Sequence, residues 1–181
     1  MPASIRYTRT AITLHWLVAV VIVAIFGLGL YMQDLPLSPD KLKLYAWHKW
    51  TGVSIFLLVL ARIVWRLGHR PPAPPAGMPA WQRQAAAGVH LLLYGLMLAV
   101  PLSGWLMSSA KGVPTVWFGV LPLPELVGKN KELGDLLATV HKTLNFSMAG
   151  LVLAHAGAAL KHHLIDRDEV LVRMLPLLRK P

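Results

Sequence analysis

An uncharged run of 22 residues, Ala11–Met32, constrains this chain more than any other feature. As a helix it extends ~33 Å, enough to cross a bilayer hydrocarbon core of ~30 Å. It exceeds the ~7–15 apolar residues of a secretion signal and no small-residue cleavage site follows it, so it is expected to persist as the first span. Three more apolar segments of helical length come after it. The expected spans are about 11–32, 44–66, 85–109 and 137–160. The second has a short charge-free centre, Trp50–Ala61, and Trp47, Trp50 and Trp65 are placed for the interfacial aromatic belts. Pro101 and Gly104 mark the third for a kink or a close neighbour. A chain 55% hydrophobic and only 14% charged is too apolar for an ordinary soluble domain. The reading is an all-α integral membrane four-helix bundle, one transmembrane domain over 1–181.

The connections are short. A turn is expected through Pro36, Ser38, Pro39 and Asp40, and an extended proline-rich segment over Pro71–Gly77. The longest connection, Ala110–Leu136, is expected to hold a short interfacial helix. The basic tail carries an amphipathic stretch, Val170–Leu178, expected to lie on the membrane surface. Lysine and arginine set the orientation. One side holds eleven (Arg6, Arg9, Arg62, Arg66, Arg70, Arg83, Lys161, Arg167, Arg173, Arg179 and Lys180) against three acids. The other holds seven (Lys41, Lys43, Lys49, Lys111, Lys129, Lys131 and Lys142) against five acids. The positive-inside rule therefore puts both termini in the cytoplasm. The outer face remains weakly positive, which suits attraction of a small anion as well as ordinary contact with lipid headgroups.

Four histidines lie inside the apolar segments. His15 is six residues inside Arg9 and His155 six residues inside Lys161, so they share one depth. His48 adjoins Lys49 and His141 adjoins Lys142, so they share another. His141 and His155 are 14 residues apart, nearly four helical turns, so both rings project from one face with ~21 Å of rise between them. A histidine in a span is costly and is either hydrogen-bonded to a neighbouring helix or functional. Four at two matched depths favour two metal centres, each a planar cofactor gripped axially from two helices. Gly52, Gly150 and Gly157 lie near these positions, consistent with a flat cofactor or with close helix packing. His90, seven residues inside Arg83, is a third candidate at the inner depth, as an alternative ligand or a hydrogen-bonding partner. The chain has no cysteine, which excludes disulfides, covalently attached c-type haem, iron–sulfur clusters and cysteine-bound zinc. A catalytic zinc site needs three converging protein ligands, and no acid in the spans is placed to support one.

Several segments carry a resemblance. Arg6-Tyr7, Ala11–Trp16 with His15, Trp47–Gly52 with His48, Pro101–Gly104, and His141 with His155 together resemble the bacterial cytochrome b561 family over essentially the whole chain. That resemblance implies a four-helix protein of the bacterial inner membrane with two haem b groups. It maps the iron ligands onto His15, His48, His141 and His155 and leaves His90 outside the ligand set. Stand-alone members of the family resemble superoxide oxidases, which take an electron from superoxide at the periplasmic side and reduce ubiquinone. Related members are haem-b subunits passing electrons between a dehydrogenase or hydrogenase and the quinone pool. On this reading Lys41, Lys43, Lys111, Lys129, Lys131 and Lys142 are candidates to steer superoxide. Arg9, His90, His162, His163 and Arg167 are candidates for the quinone side, with His162 and His163 offering hydrogen bonds or protons and otherwise forming a solvated basic helix end. A soluble partner protein is possible but not required. A non-redox helical bundle would bind no pigment.

Overall fold

The computed structural model describes residues 6–75 and 77–178; Arg179 and Lys180, counted in the charge balance above, lie outside these. Four long helices dominate: α1 (Arg9–Gln33), α2 (Pro39–Gly68), α3 (Ala80–Ala110) and α4 (Lys131–Lys161). Each overruns its expected span, and in α1, α2 and α4 a capping side chain starts the helix ahead of the apolar stretch. Thr8 Oγ1 accepts from Ala11 N at the head of α1, and Ser38 Oγ accepts from Lys41 N with Pro39 in the first turn of α2. Asn130 Oδ1 accepts from Leu133 N at the head of α4, six residues before its expected start. Such side chains satisfy the amide groups that a helix leaves without partners at its N-terminus. All four helices are long and apolar enough to cross a membrane, and no more than 17% of the most apolar stretch of any of them is buried inside the protein. So much outward apolar surface suits lipid, not water.

The helices run up, down, up, down. Close pairings follow chain order, α1 with α2, α2 with α3 and α3 with α4, while α4 stands off from α1 and α2. The core is Val18, Ile22, Ile55, Val59, Met97, Val100 and Met148. Val18 and Val59 are almost wholly enclosed, at 1% and 0% exposure.

Two connections differ from expectation. The segment after α3 holds no interfacial helix; it forms a small antiparallel hairpin, β1 (Val116–Trp117) with β2 (Leu121–Pro122). Phe118 and Gly119 turn it with φ of 51° and 72°, and the Phe118 ring packs between Trp50 and Trp117. Beyond α4, one π-helical turn (His162–Asp166) leads to a short helix α5 (Val170–Met174) and a 3-10 turn (Pro176–Leu178). The tail is thus no single amphipathic helix. It bends at Leu175, ahead of Pro176, and docks on the bundle: Trp16 Nε1 donates to Met174 O at 2.8 Å, and Arg173 Nη1 donates to Ala73 O at 2.6 Å.

Candidate functional site

Span histidines meet in pairs across the gap that α4 leaves. The His15 and His155 rings lie 6.2 Å apart between centroids, and the His48 and His141 rings 6.3 Å apart. The ring planes are inclined at 64° and 79°. These are the two depth pairs read from the sequence.

The pairs belong to a pattern present in every helix. His141 and His155 are 14 residues apart, and so are His15 and Gly29, His48 and Arg62, and His90 and Gly104. Each helix therefore lends one residue to each of two levels ~21 Å apart. At the outer level Gly29 faces His48 and Gly104 faces His141. A Cβ on Gly29 would meet His48 Cε1 at 3.3 Å, and one on Gly104 would meet His141 Cε1 at 3.0 Å. At the inner level Arg62 Nη2 lies 2.9 Å from His15 Nδ1, and the His90 and His155 rings are 5.3 Å apart. The buried core residues all fall between the two levels.

Outer histidines sit in a cleft of about 620 Å³, open space included, lined in part by His48, Lys49, Gly52, Pro101, Gly104 and His141. Its hydrogen bonds fix His141. Nδ1 lies 3.1 Å from Val100 O and 3.0 Å from Ser103 Oγ, while the Ser103 hydroxyl itself donates to Val100 O at 2.7 Å. A proton on Nδ1 satisfies both acceptors and leaves Nε2 free, the arrangement of a metal-binding histidine held by a carbonyl. His48 Nδ1 is buried and has no hydrogen-bond partner among the described residues. Buried polar atoms are nearly always paired, so this one calls for a group that the protein does not supply.

Of the six lysines expected to steer an anion, none is among the described residues lining this cleft. Lys41 Nζ donates to Gln33 O and Leu35 O at the end of α1, and Lys43 lies over the Trp47 ring. Lys111 pairs with Asp135 at 3.7 Å, and the Lys129 stem packs on Gly112. Lys131 and Lys142 are exposed. Lys49, outside that set, lines the cleft and donates to Val113 O at 3.0 Å. Its position directly after His48 was the signal available. The hairpin segment is strapped above it by Trp50 Nε1 donating to Val116 O and Trp105 Nε1 donating to Pro124 O.

The quinone-side candidates do not form one group. His90 belongs to the inner level. His162 is bonded to Asp168 at 2.6 Å and lies 3.2 Å from Asp166. Lys161 Nζ donates to both carboxylate oxygens of Asp166, at 2.8 and 2.6 Å. His163 is half-buried, and Arg9 and Arg167 are exposed. Arg62 and its neighbour Tyr94 are the inner-level residues that sequence reasoning passed over.

The family model for prokaryotic cytochrome b561 matches residues 6–177. The chain belongs to the prokaryotic cytochrome b561 family. Among its relatives, cytochrome b561 homolog 2 of Escherichia coli (strain K12) is 34% identical over 94% of this chain and 91% of its own length. Cytochrome b561 homolog 1 of the same strain is 32% identical over 94% and 97%. The probable superoxide oxidase CybB of Yersinia pestis is 27% identical over 94% and 96%. Membership makes the chain a multi-pass membrane electron-transfer protein and implies haem b. The site geometry fits that group. A metal–imidazole bond of ~2 Å and ~1 Å from ring nitrogen to ring centre put two axial rings ~6 Å apart, which both pairs satisfy. The two outer glycines leave room beside the rings that any side chain would fill.

Proposed function

We propose that this cytochrome oxidises superoxide to oxygen at the periplasmic face of the bacterial inner membrane and passes the electrons to ubiquinone. Two superoxide ions, one ubiquinone and two protons give two oxygen molecules and one ubiquinol. Two haem b groups supply the reversible one-electron iron couple that links these half-reactions. His48 and His141 would hold the outer one, and His15 and His155 the inner one. The whole chain serves as a single domain, and its excess of lysine and arginine on the side of the termini supports placing both ends in the cytoplasm.

The observation that carries this reading is the repeated pairing: two histidine couples of nearly equal separation, one at each level of a four-helix ladder. A haem held by two histidines would have both open iron positions filled, which would favour electron transfer over binding of oxygen. Val100 and Ser103 keep the His141 ring turned toward its partner. Lys49 places a positive charge at the outer cleft, where an anionic donor arrives, and the more distant lysines add a weak field around it. His90, on the lipid-exposed side of the inner level, offers a hydrogen-bonding group to a quinone approaching from the membrane. The likeness to a protein called a probable superoxide oxidase supports the choice of donor.

A second reading rests on the same comparisons. The two relatives with higher identity carry cytochrome names and no stated activity. The chain would then be a haem-b electron conduit between a dehydrogenase or hydrogenase and the quinone pool. One experiment separates the two. Haem is counted per purified chain, and reduced-minus-oxidised spectra are recorded with superoxide supplied, with and without a water-soluble ubiquinone. Two b-type haems reduced by superoxide and reoxidised by quinone are expected. Two haems indifferent to superoxide would favour the conduit, and a chain without haem would refute both.

A further inference from the structure

Arg62 and Arg66 stand about one turn apart on α2 and share one aromatic ring. Their guanidinium carbons lie 5.3 and 5.9 Å from the centroid of Tyr94 on α3. No acid occurs between Asp40 and Glu125, so α2 beyond its first turn and all of α3 carry none. Among the described residues neither arginine makes an ion pair. The carboxylates of the tail are engaged elsewhere: Asp166 with Lys161 and His162, Asp168 with His162, Glu169 with Arg173. Arg62 is partly buried and Arg66 exposed, and a cation drawn out of water is retained at a cost unless an anion joins it. The inner level therefore presents a planar, two-armed cationic site with no anion of its own.

A second observation concerns the proton on His15. Arginine has donors only, so at 2.9 Å His15 Nδ1 must accept from Arg62 Nη2, which puts the ring proton on Nε2. A histidine that holds iron through Nε2 carries its proton on Nδ1, where it donates to an oxygen. Two donors then face each other. The Arg62–His15 contact and axial ligation by His15 exclude one another, so Arg62 has to find another acceptor when the site fills. The outer level has no such conflict, because its corresponding contact is to the Val100 carbonyl.

We propose that Arg62 and Arg66, backed by Tyr94, are the binding site for the propionate carboxylates of the inner haem, and that Arg62 turns from His15 Nδ1 to a carboxylate as the cofactor binds. This rests on the di-haem reading above. Guanidinium–carboxylate pairs are bidentate and directional, so the pair fixes which way the cofactor edge points within the level. The positive charge beside it also favours the reduced iron, which carries one charge fewer.

Arg62→Leu in the full-length protein tests this with two readouts other than turnover: haem affinity, and the midpoint potentials of the two haems by spectroelectrochemical titration. One component is expected to move to lower potential by about tenfold in its oxidised-to-reduced ratio, ~59 mV for one electron, while the other stays in place. Inner-haem affinity should fall ~10–100-fold. Arg62→Lys keeps the charge without the fork and should recover most of the potential but less of the affinity. Wild-type apoprotein reconstituted with the dimethyl ester of haem, whose carboxylates are masked, should reproduce the affinity loss, and Arg62→Leu should add little to it. The ester experiment needs no substitution, so poor accumulation of the variant does not shield the proposal. Two haems with unmoved potentials and an ester bound as tightly as native haem would overturn it and leave the di-haem reading standing. A wild-type chain that binds no haem overturns both.

Discussion

The outer and inner levels are built on the same ladder and filled differently. The outer level takes a histidine from α2 and from α4 and glycines from α1 and α3. The inner level takes histidines from α1, α3 and α4 and an arginine from α2. The outer site is roomy, its His141 ring aligned by a neutral carbonyl and a hydroxyl. The inner site is crowded and cationic. One backbone arrangement thus yields two electrostatic settings. A cation beside an iron stabilises its reduced form, so the inner site is expected to have the higher potential and electrons to run from the outer level to the inner.

The strongest way to break that comparison is to delete one ligand at each level. His141→Ala and His155→Ala should each lower haem from two to one per chain and leave different spectra behind; identical residual spectra would show that the levels are not independent. Next is room. Gly104→Val places atoms against the His141 ring where even a Cβ lies at 3.0 Å, and overpacking of this kind costs ~1–3 kcal/mol. Outer haem occupancy should drop while the inner persists. His90→Ala at the matching rung should keep two haems, and loss of one would make His90 a ligand. Lys49→Gln should slow reduction by superoxide up to ~tenfold and flatten its salt dependence, and Lys131→Gln should do neither, in stopped-flow assays across ionic strength. The smallest effect belongs to Ser103→Ala, since Val100 O remains for His141 Nδ1. Outer haem affinity should weaken no more than ~tenfold.

Much of the architecture was legible because length and hydropathy alone dictate membrane helices. The depth pairing was legible too, since charged residues flank His15, His48, His141 and His155 at matched distances. The 14-residue spacing was read on α4 only. Applied to the other helices it singles out Gly29, Arg62 and Gly104, but nothing marks a glycine or an arginine as a rung until the helices are placed side by side. Arg62 was counted as an interfacial charge because its contacts with His15 and Tyr94 cross between helices. The hairpin at 116–122 was hidden for a different reason. Its turn places Phe118, not asparagine or aspartate, at positive φ, and packing against Trp50 and Trp117 replaces the usual turn chemistry.

The seven core residues between the levels, with Val18 and Val59 enclosed among them, carry no titratable side chain. An electron crossing between the levels in the proposed orientation travels without a proton, so the step moves net charge through the membrane's electric field. Carrying one charge across the full drop toward the negative interior costs ~2.3 kcal/mol per 100 mV. On the proposed reading an energised membrane would brake the reaction, and a depolarised one would release it.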